Sequence, residues 1–213
     1  MLPAALPFIV KVCGITARDD GQAALDAGAN ALGFNFYPKS PRYVSPEAAA
    51  GMADSLRGDF LRVGIFVHPT QEEVSNASSF LNVIQVHGEA NFASALPVWK
   101  AVNPGMIPAE NAAVQAWLLD SFTPVFGGSG QTFDWSLAAA FPFPAIVAGG
   151  LDGDNVAEAI RVARPWGVDS CSRLESAPGV KDQNKVAAFV SNARAAFGSL
   201  ARAEGKTYEY HHF

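Results

Sequence analysis

A short apolar run, a polar or glycine-rich turn and an alanine-rich stretch with helical spacing recur eight times between Phe8 and Phe197. No long polar linker interrupts the series, and 213 residues suffice for one well-buried core but are short for two. An apolar share of 49% against 16% charged residues requires much of the chain to be buried inside strands. These observations predict the α/β class and a single-domain (β/α)₈ TIM barrel over residues 1–200, with a flexible C-terminal tail over 201–213. Periodicity does not show closure, so an open α/β sheet stays as the alternative.

The first unit is Phe8 to Cys13 (FIVKVC), followed by Thr16 as N-cap of a helix that stops at Gly28, a residue suited to the position after a helix end. Ala31 to Phe36 leads through the loop YPKSPRYV to Ser45-Pro46-Glu47, where serine caps and proline takes the first helical position. Leu61 to Val67 precedes Thr70-Gln71-Glu72-Glu73, a capping-box pattern. Asn82 to Val86, Pro97 to Val102 and Ala116 to Leu119 are three more strands, separated by weaker helical stretches around Ala90 to Ala95 and Ala109 to Gln115. Pro144 to Ala148 precedes Gly149-Gly150 and a helix capped near Asp154. Gly167 to Ser170 and the amphipathic stretch Lys181 to Phe197 complete the eighth unit.

The net charge of −5 argues against a nucleic-acid partner, because phosphate backbones are bound by clustered Lys and Arg. Local positive groups can still hold a single phosphate. The two cysteines, Cys13 and Cys171, lack metal-ligand spacing, so no metal is expected and a reducing cytoplasm fits. The start MLPAALPFIVKVCG lacks the features of a signal peptide, and no apolar run approaches about 18 residues, so no membrane partner is expected. The stretch KTYEYHHF, with His211 and His212, reads as a disordered tail rather than a metal site. Monomer and homodimer both stay open.

In a parallel barrel, catalytic groups project from the carboxyl ends of strands and the loops that follow. That rule selects Cys13, Asn35, His87, Asp120, Gly149-Gly150 and Asp169 to Ser172. Cys13 precedes Gly14, which lets the chain turn and leaves the thiol near the mouth; an inert core cysteine is the competing reading. As a base, the thiol would need its pKa lowered from about 8.5. Asp120 ends the run Trp117-Leu118-Leu119, where a turn-forming aspartate competes with an acid. A carboxylic acid on one side and a thiolate on the other suit paired proton donation and removal.

Phe126-Gly127-Gly128-Ser129-Gly130 and Ala148-Gly149-Gly150-Leu151 follow strands six and seven, where exposed backbone N–H groups bind phosphate. Arg42, in the long loop after strand two, reads on its own as a solvated surface charge. His87 reads equally well as a structural histidine.

Lys11-Val-Cys-Gly-Ile-Thr16, Ser40-Pro-Arg-Tyr-Val44, Gln85-Val-His-Gly-Glu89, Leu118-Leu-Asp120, Gly127-Gly-Ser-Gly-Gln-Thr-Phe-Asp-Trp135, Ala148-Gly-Gly-Leu151 and Pro178-Gly-Val-Lys-Asp182 together resemble phosphoribosylanthranilate isomerase. The resemblance runs from Phe8 to Phe197 and implies a cofactor-free barrel enzyme of tryptophan biosynthesis. Its reaction is the Amadori rearrangement of N-(5-phosphoribosyl)anthranilate to 1-(o-carboxyphenylamino)-1-deoxyribulose 5-phosphate. The resemblance implies that Asp120 is the general acid and Cys13 the general base. It also implies that Arg42 meets the anthranilate carboxylate, that His87 and Asp169 bind substrate, and that Gly149, Gly150, Ser172 and Arg173 surround the phosphate.

The family's usual DVSSGVE stands here as Asp169-Ser-Cys-Ser-Arg-Leu-Glu175. Arg173 replaces a glycine, and would add charge to the phosphate site or point into solvent. Cys171 replaces a serine and is expected near Cys13, since strand eight neighbours strand one in a closed barrel. Oxidation joining the two thiols would switch activity off, provided the Cα atoms lie within about 7 Å. Two competitors remain: a related phosphosugar barrel with an imidazole-bearing substrate, and a noncatalytic phosphosugar-binding barrel in which Cys13 is inert.

Overall fold

Strand β1 (Ile9–Cys13) pairs in parallel with β2 (Ala31–Asn35) on one side and β8 (Gly167–Ser170) on the other, and this double pairing closes the sheet. The structure is a computed structural model and describes residues 6–120 and 132–205. Strands β3 (Leu61–Val67), β4 (Val83–His87), β5 (Val98–Val102), β6 (Val114–Leu119) and β7 (Ala145–Val147) complete the barrel in chain order. The closed form of the predicted fold is therefore the one observed.

The helices are α1 (Arg18–Asp26), α2 (Pro46–Ser55), α3 (Gln71–Ala77), α4 (Ser136–Ala139), α5 (Val156–Ala163) and α6 (Gln183–Ala203). An antiparallel pair that the sequence reading missed, β9 (Glu175–Ala177) and β10 (Val180–Lys181), lies between β8 and α6.

Side chains alternate across each strand with period two. Ile9 and Cys13, Val63 and Ile65, Trp99, Leu118 and Ile146 fill the barrel interior. Val10 and Val12, Ile84 and Val86, Trp117 and Leu119 pack outward with Val156 and Phe189 of the helices. Each large apolar side chain so buried contributes about 1.5–3 kcal/mol. Trp99 plugs the interior: it is fully buried, its indole N–H donates to Gln115 at 3.1 Å, and its ring meets Trp166 edge-on.

The helix signals succeed where a polar side chain finds a local partner. Ser45 accepts from the Ala48 N–H at 3.2 Å at the start of α2. Thr70 and Glu73 form the reciprocal box at the start of α3, at 2.8 and 3.2 Å. Thr16 does not cap α1, which begins after Ala17; its hydroxyl donates to the Gly179 carbonyl at 2.5 Å. The stop at Gly28 holds, with φ +102.

The helical stretches expected around Ala90 to Ala95 and Ala109 to Gln115 are not helices. The first is irregular chain, and the second ends inside β6. Alanine propensity without a buried apolar stripe does not hold so short a helix. The α5 cap position is Asn155 rather than Asp154, and both backbone N–H groups donate to Asp152. Helix α6 starts at Gln183, capped by Asp182, and runs to Ala203, into the segment expected to be tail. Residues from 206 on, with His211 and His212, and the glycine run Phe126 to Gly130 lie outside the described residues. Among the described residues no helix is long and apolar enough to cross a membrane.

Candidate active site

A cavity of about 460 Å³ opens at the carboxyl ends of the strands, and every residue selected by the strand-end rule within the described chain lines it. Cys13 enters from β1, Asn35 from β2, His87 from β4, Asp120 from the end of β6, Gly149 and Gly150 from the loop after β7, and Asp169 from β8.

The Cys13 thiol is seated by two glycines. A Cβ on Gly33 of β2 would lie 2.9 Å from its sulfur. Gly14 has φ +70, and a Cβ there would lie 2.9 Å from both the Arg42 Cδ and the Cys171 sulfur. The turn after β1 therefore needs glycine for its backbone and for its crowding.

The strand register pairs Val12 with Ser170, which makes Cys13 and Cys171 neighbours across β1 and β8, as anticipated. Both thiols are free. A hydrogen bond from Cys171 is the main reason the Cys13 thiol falls to about 7; burial opposes it, and Lys11 and Lys181 assist it. The same hydrogen bond and burial push Cys171 well above the usual thiol range, so Cys13 holds the charge and Cys171 the proton.

Beneath Cys13, the Lys11 ammonium contacts the Asp169 carboxylate at 2.7 Å. Burial works against the Lys11 charge, yet Asp169 and Cys13 outweigh it and hold it above the ordinary lysine range. Asp169, expected to bind substrate, thus spends one oxygen on Lys11 while still reaching the cavity.

Asp120 stands three strands round the ring from Cys13, its backbone N–H donating to the Val102 carbonyl at 3.2 Å. His87 meets the Gln85 amide at 3.0 Å. Burial first, then Lys11 and Lys100, lower its imidazole to about 4, so it is neutral near pH 7. The buried Gln85 Oε1 has no partner among the described residues, which leaves a polar atom at the cavity wall.

Arg42 is buried rather than a solvated charge. Its Nε and Nη2 edge donates to Glu175, whose Oε1 also accepts from Lys181 at 2.9 Å. The fork expected to grip a substrate carboxylate is therefore half committed to the protein, leaving the Nη1 side of the guanidinium.

In the loop after β7, Gly149 and Gly150 adopt φ +78 and +65, and Asn155 donates to the Gly150 carbonyl at 2.8 Å. Ser172 opens a 3-10 turn, Ser172–Leu174. Arg173 donates from Nε to Asp152 at 3.0 Å, so it bridges the loops after β7 and β8 instead of pointing freely into solvent. Among the described residues no cluster of three metal-ligating side chains occurs.

Lys11, Gln85, Glu175 and Lys181 were not singled out from the sequence. Lys11 was legible, since two residues before Cys13 on a strand means the same face. The convergence of Glu175 and Lys181 on Arg42 depends on the unforeseen β9–β10 pair.

The family model of N-(5'-phosphoribosyl)anthranilate (PRA) isomerase matches residues 10–192. The chain belongs to the PRA isomerase family. A relative in this family, the N-(5'-phosphoribosyl)anthranilate isomerase of Solibacter usitatus, is 50% identical over 202 residues, covering 90% of this chain and 100% of its own. The crystal structure of the Thermotoga maritima isomerase superposes with a TM-score of 0.78 at 38% identity, covering 88% of this chain and 99% of that one. A solved isomerase of this family in complex with reduced 1-(o-carboxyphenylamino)-1-deoxyribulose 5-phosphate superposes at 0.72 with 35% identity, covering 88% and 99%. The segment matched to the PRA isomerase family contains every candidate site residue.

Proposed function

We propose that this chain isomerises N-(5-phosphoribosyl)anthranilate to 1-(o-carboxyphenylamino)-1-deoxyribulose 5-phosphate, with Asp120 as acid and Cys13 as base. The observation that carries this reading is the meeting of Cys13 and Asp120 in one cavity, from β1 and β6, with the thiol lowered to about 7. Family membership supports the same reaction, a step of tryptophan biosynthesis.

Asp120 gives its proton to the ribose ring oxygen as the C1′–O bond breaks, and the anthranilate nitrogen lone pair forms the iminium. The Cys13 thiolate then removes the C2′ proton, and the released pair neutralises the iminium to an enolamine. Tautomerisation yields the ketone. Both steps are proton transfers, so the chemistry needs no cofactor.

The substrate carries a carboxylate at one end and a phosphate at the other. Arg42 suits the first through its remaining guanidinium edge. Gly149, Gly150, Ser172 and Arg173 suit the second, while His87 and Asp169 stand beside the sugar. The acidic balance of −5 supports a small-molecule partner rather than a nucleic acid. A thiolate base is best kept reduced, which favours the cytoplasm.

The test follows the fluorescence of freshly generated phosphoribosylanthranilate with purified protein. Cys13→Ala and Asp120→Asn should each lose about 10²- to 10⁴-fold in turnover while still binding a reduced product analogue. Near-normal turnover in either variant overturns its role. Turnover of an imidazole-bearing phosphosugar alone overturns the substrate assignment.

A further inference from the structure

The proton transfers make no direct use of the ion pair inside the barrel. Lys11 on β1 and Asp169 on β8 are register partners, both buried, with Nζ 2.7 Å from Oδ1. Burying such a pair carries a desolvation penalty that an apolar pair of equal volume avoids, so stability alone does not account for it. Its position does. Lys11 and Cys13 lie two residues apart on one strand and share the inward face; the ammonium contacts the Asp169 carboxylate, and its charge favours the Cys13 thiolate.

We propose that Lys11 is a positioning residue for the base: its ammonium, anchored by Asp169, keeps the Cys13 sulfur as thiolate beneath the substrate. This rests on the reading of Cys13 as the base. A charge in the dry interior acts strongly on a neighbouring thiol, because little water intervenes to screen it. Around the sulfur, Cys171 just after β8 and Lys181 on β10 also favour the thiolate, and Asp169 on β8 opposes it. Arg42, from the loop after β2, is near enough to feel the thiolate charge, and His87 of β4 is neutral. Lys11 acts on Cys13 more strongly than Asp169 does. The two partners of one ion pair therefore carry opposite expectations, which a merely structural pair would not.

The experiment measures the alkylation rate of Cys13 against pH in the intact protein, with peptide mass mapping to separate Cys13 from Cys171, beside the pH profile of kcat/KM. Lys11→Met should raise the Cys13 midpoint by about one unit, a tenfold loss of thiolate on the acid side. Asp169→Asn should lower it. If Lys11→Met does not fold, Lys11→Met with Asp169→Asn leaves a neutral layer, and a smaller upward shift is expected. A folded Lys11 variant with an unmoved midpoint, or shifts of the same sign from both single variants, overturns the proposal. If the midpoint moves while the acid limb of kcat/KM stays, Cys13 is not the base; Lys11 then tunes a thiol without positioning a base.

Discussion

The guanidinium of Arg42 lies edge to edge with the carboxylate of Glu175, Nε donating to Oε1 at 2.8 Å and Nη2 to Oε2 at 2.7 Å. This contact ties the loop after β2 to β9. Because Glu175 also serves Lys181, it is the shared anion of two buried cations. Removing it leaves both uncompensated, which costs far more than an exposed pair would. Glu175→Gln should destabilise the fold by about 3 kcal/mol, lowering the melting temperature by roughly 10 °C. The KM for substrate should rise as Arg42 loses its support. Calorimetry and steady-state kinetics on one preparation check both.

Activity should follow the ionisation of Cys13. The thiol is lowered from its ordinary value to about 7, so with Cys13 as the proposed base the acid limb of kcat/KM should rise with pH through about 7. Cys171→Ala removes the hydrogen bond that contributes most to the lowering and should move this limb upward. A limb that stays in place in that variant would contradict the assignment.

The neutral His87 gives the fold an acid sensitivity of defined sign. Its imidazole is lowered from 6.5 to about 4, chiefly by burial. The unfolded chain therefore binds its proton first as pH falls, and the contribution to stability, full above about 6.5, is lost as pH descends through about 4. His87→Gln should flatten this part of the dependence of melting temperature on pH.

Arg173 is half-exposed and paired with Asp152, so Arg173→Gly should change stability by less than about 1 kcal/mol. If the side chain meets the substrate phosphate, KM should rise about tenfold, the loss expected for one charge-assisted hydrogen bond, with kcat little altered. Inhibition by inorganic phosphate should weaken in parallel.

Oxidised glutathione should join Cys13 and Cys171, the two thiols losing two hydrogens and two electrons as the oxidant becomes two reduced glutathiones. Their adjacency across β1 and β8 brings them within reach. Intact mass should fall by two hydrogens, activity should vanish, and dithiothreitol should restore both. Cys171→Ser should stay active under the same treatment.

How far the sequence could be read followed the range of the interactions. Strands were legible because each buried run announces itself locally, and strand-end placement brought Cys13, His87 and Asp120 to one mouth. Thr16 was misread because its partner, Gly179, lies 163 positions away. The alanines at 90 to 95 and 109 to 115 carried propensity without a face to bury. Arg42 seemed a surface charge because Glu175, which draws it inward, approaches only through the β9–β10 pair. The shared face of Lys11 and Cys13 was legible, but the ion pair was not, because only barrel closure sets Asp169 opposite Lys11.

Trp99 and its neighbours stop the barrel from being a tube. The cavity opens at the carboxyl ends of the strands, so the incoming ribosylamine and the departing ketose occupy the same space in turn. Product is then a competitive inhibitor by architecture, and flux depends on how quickly the next reaction clears the threshold.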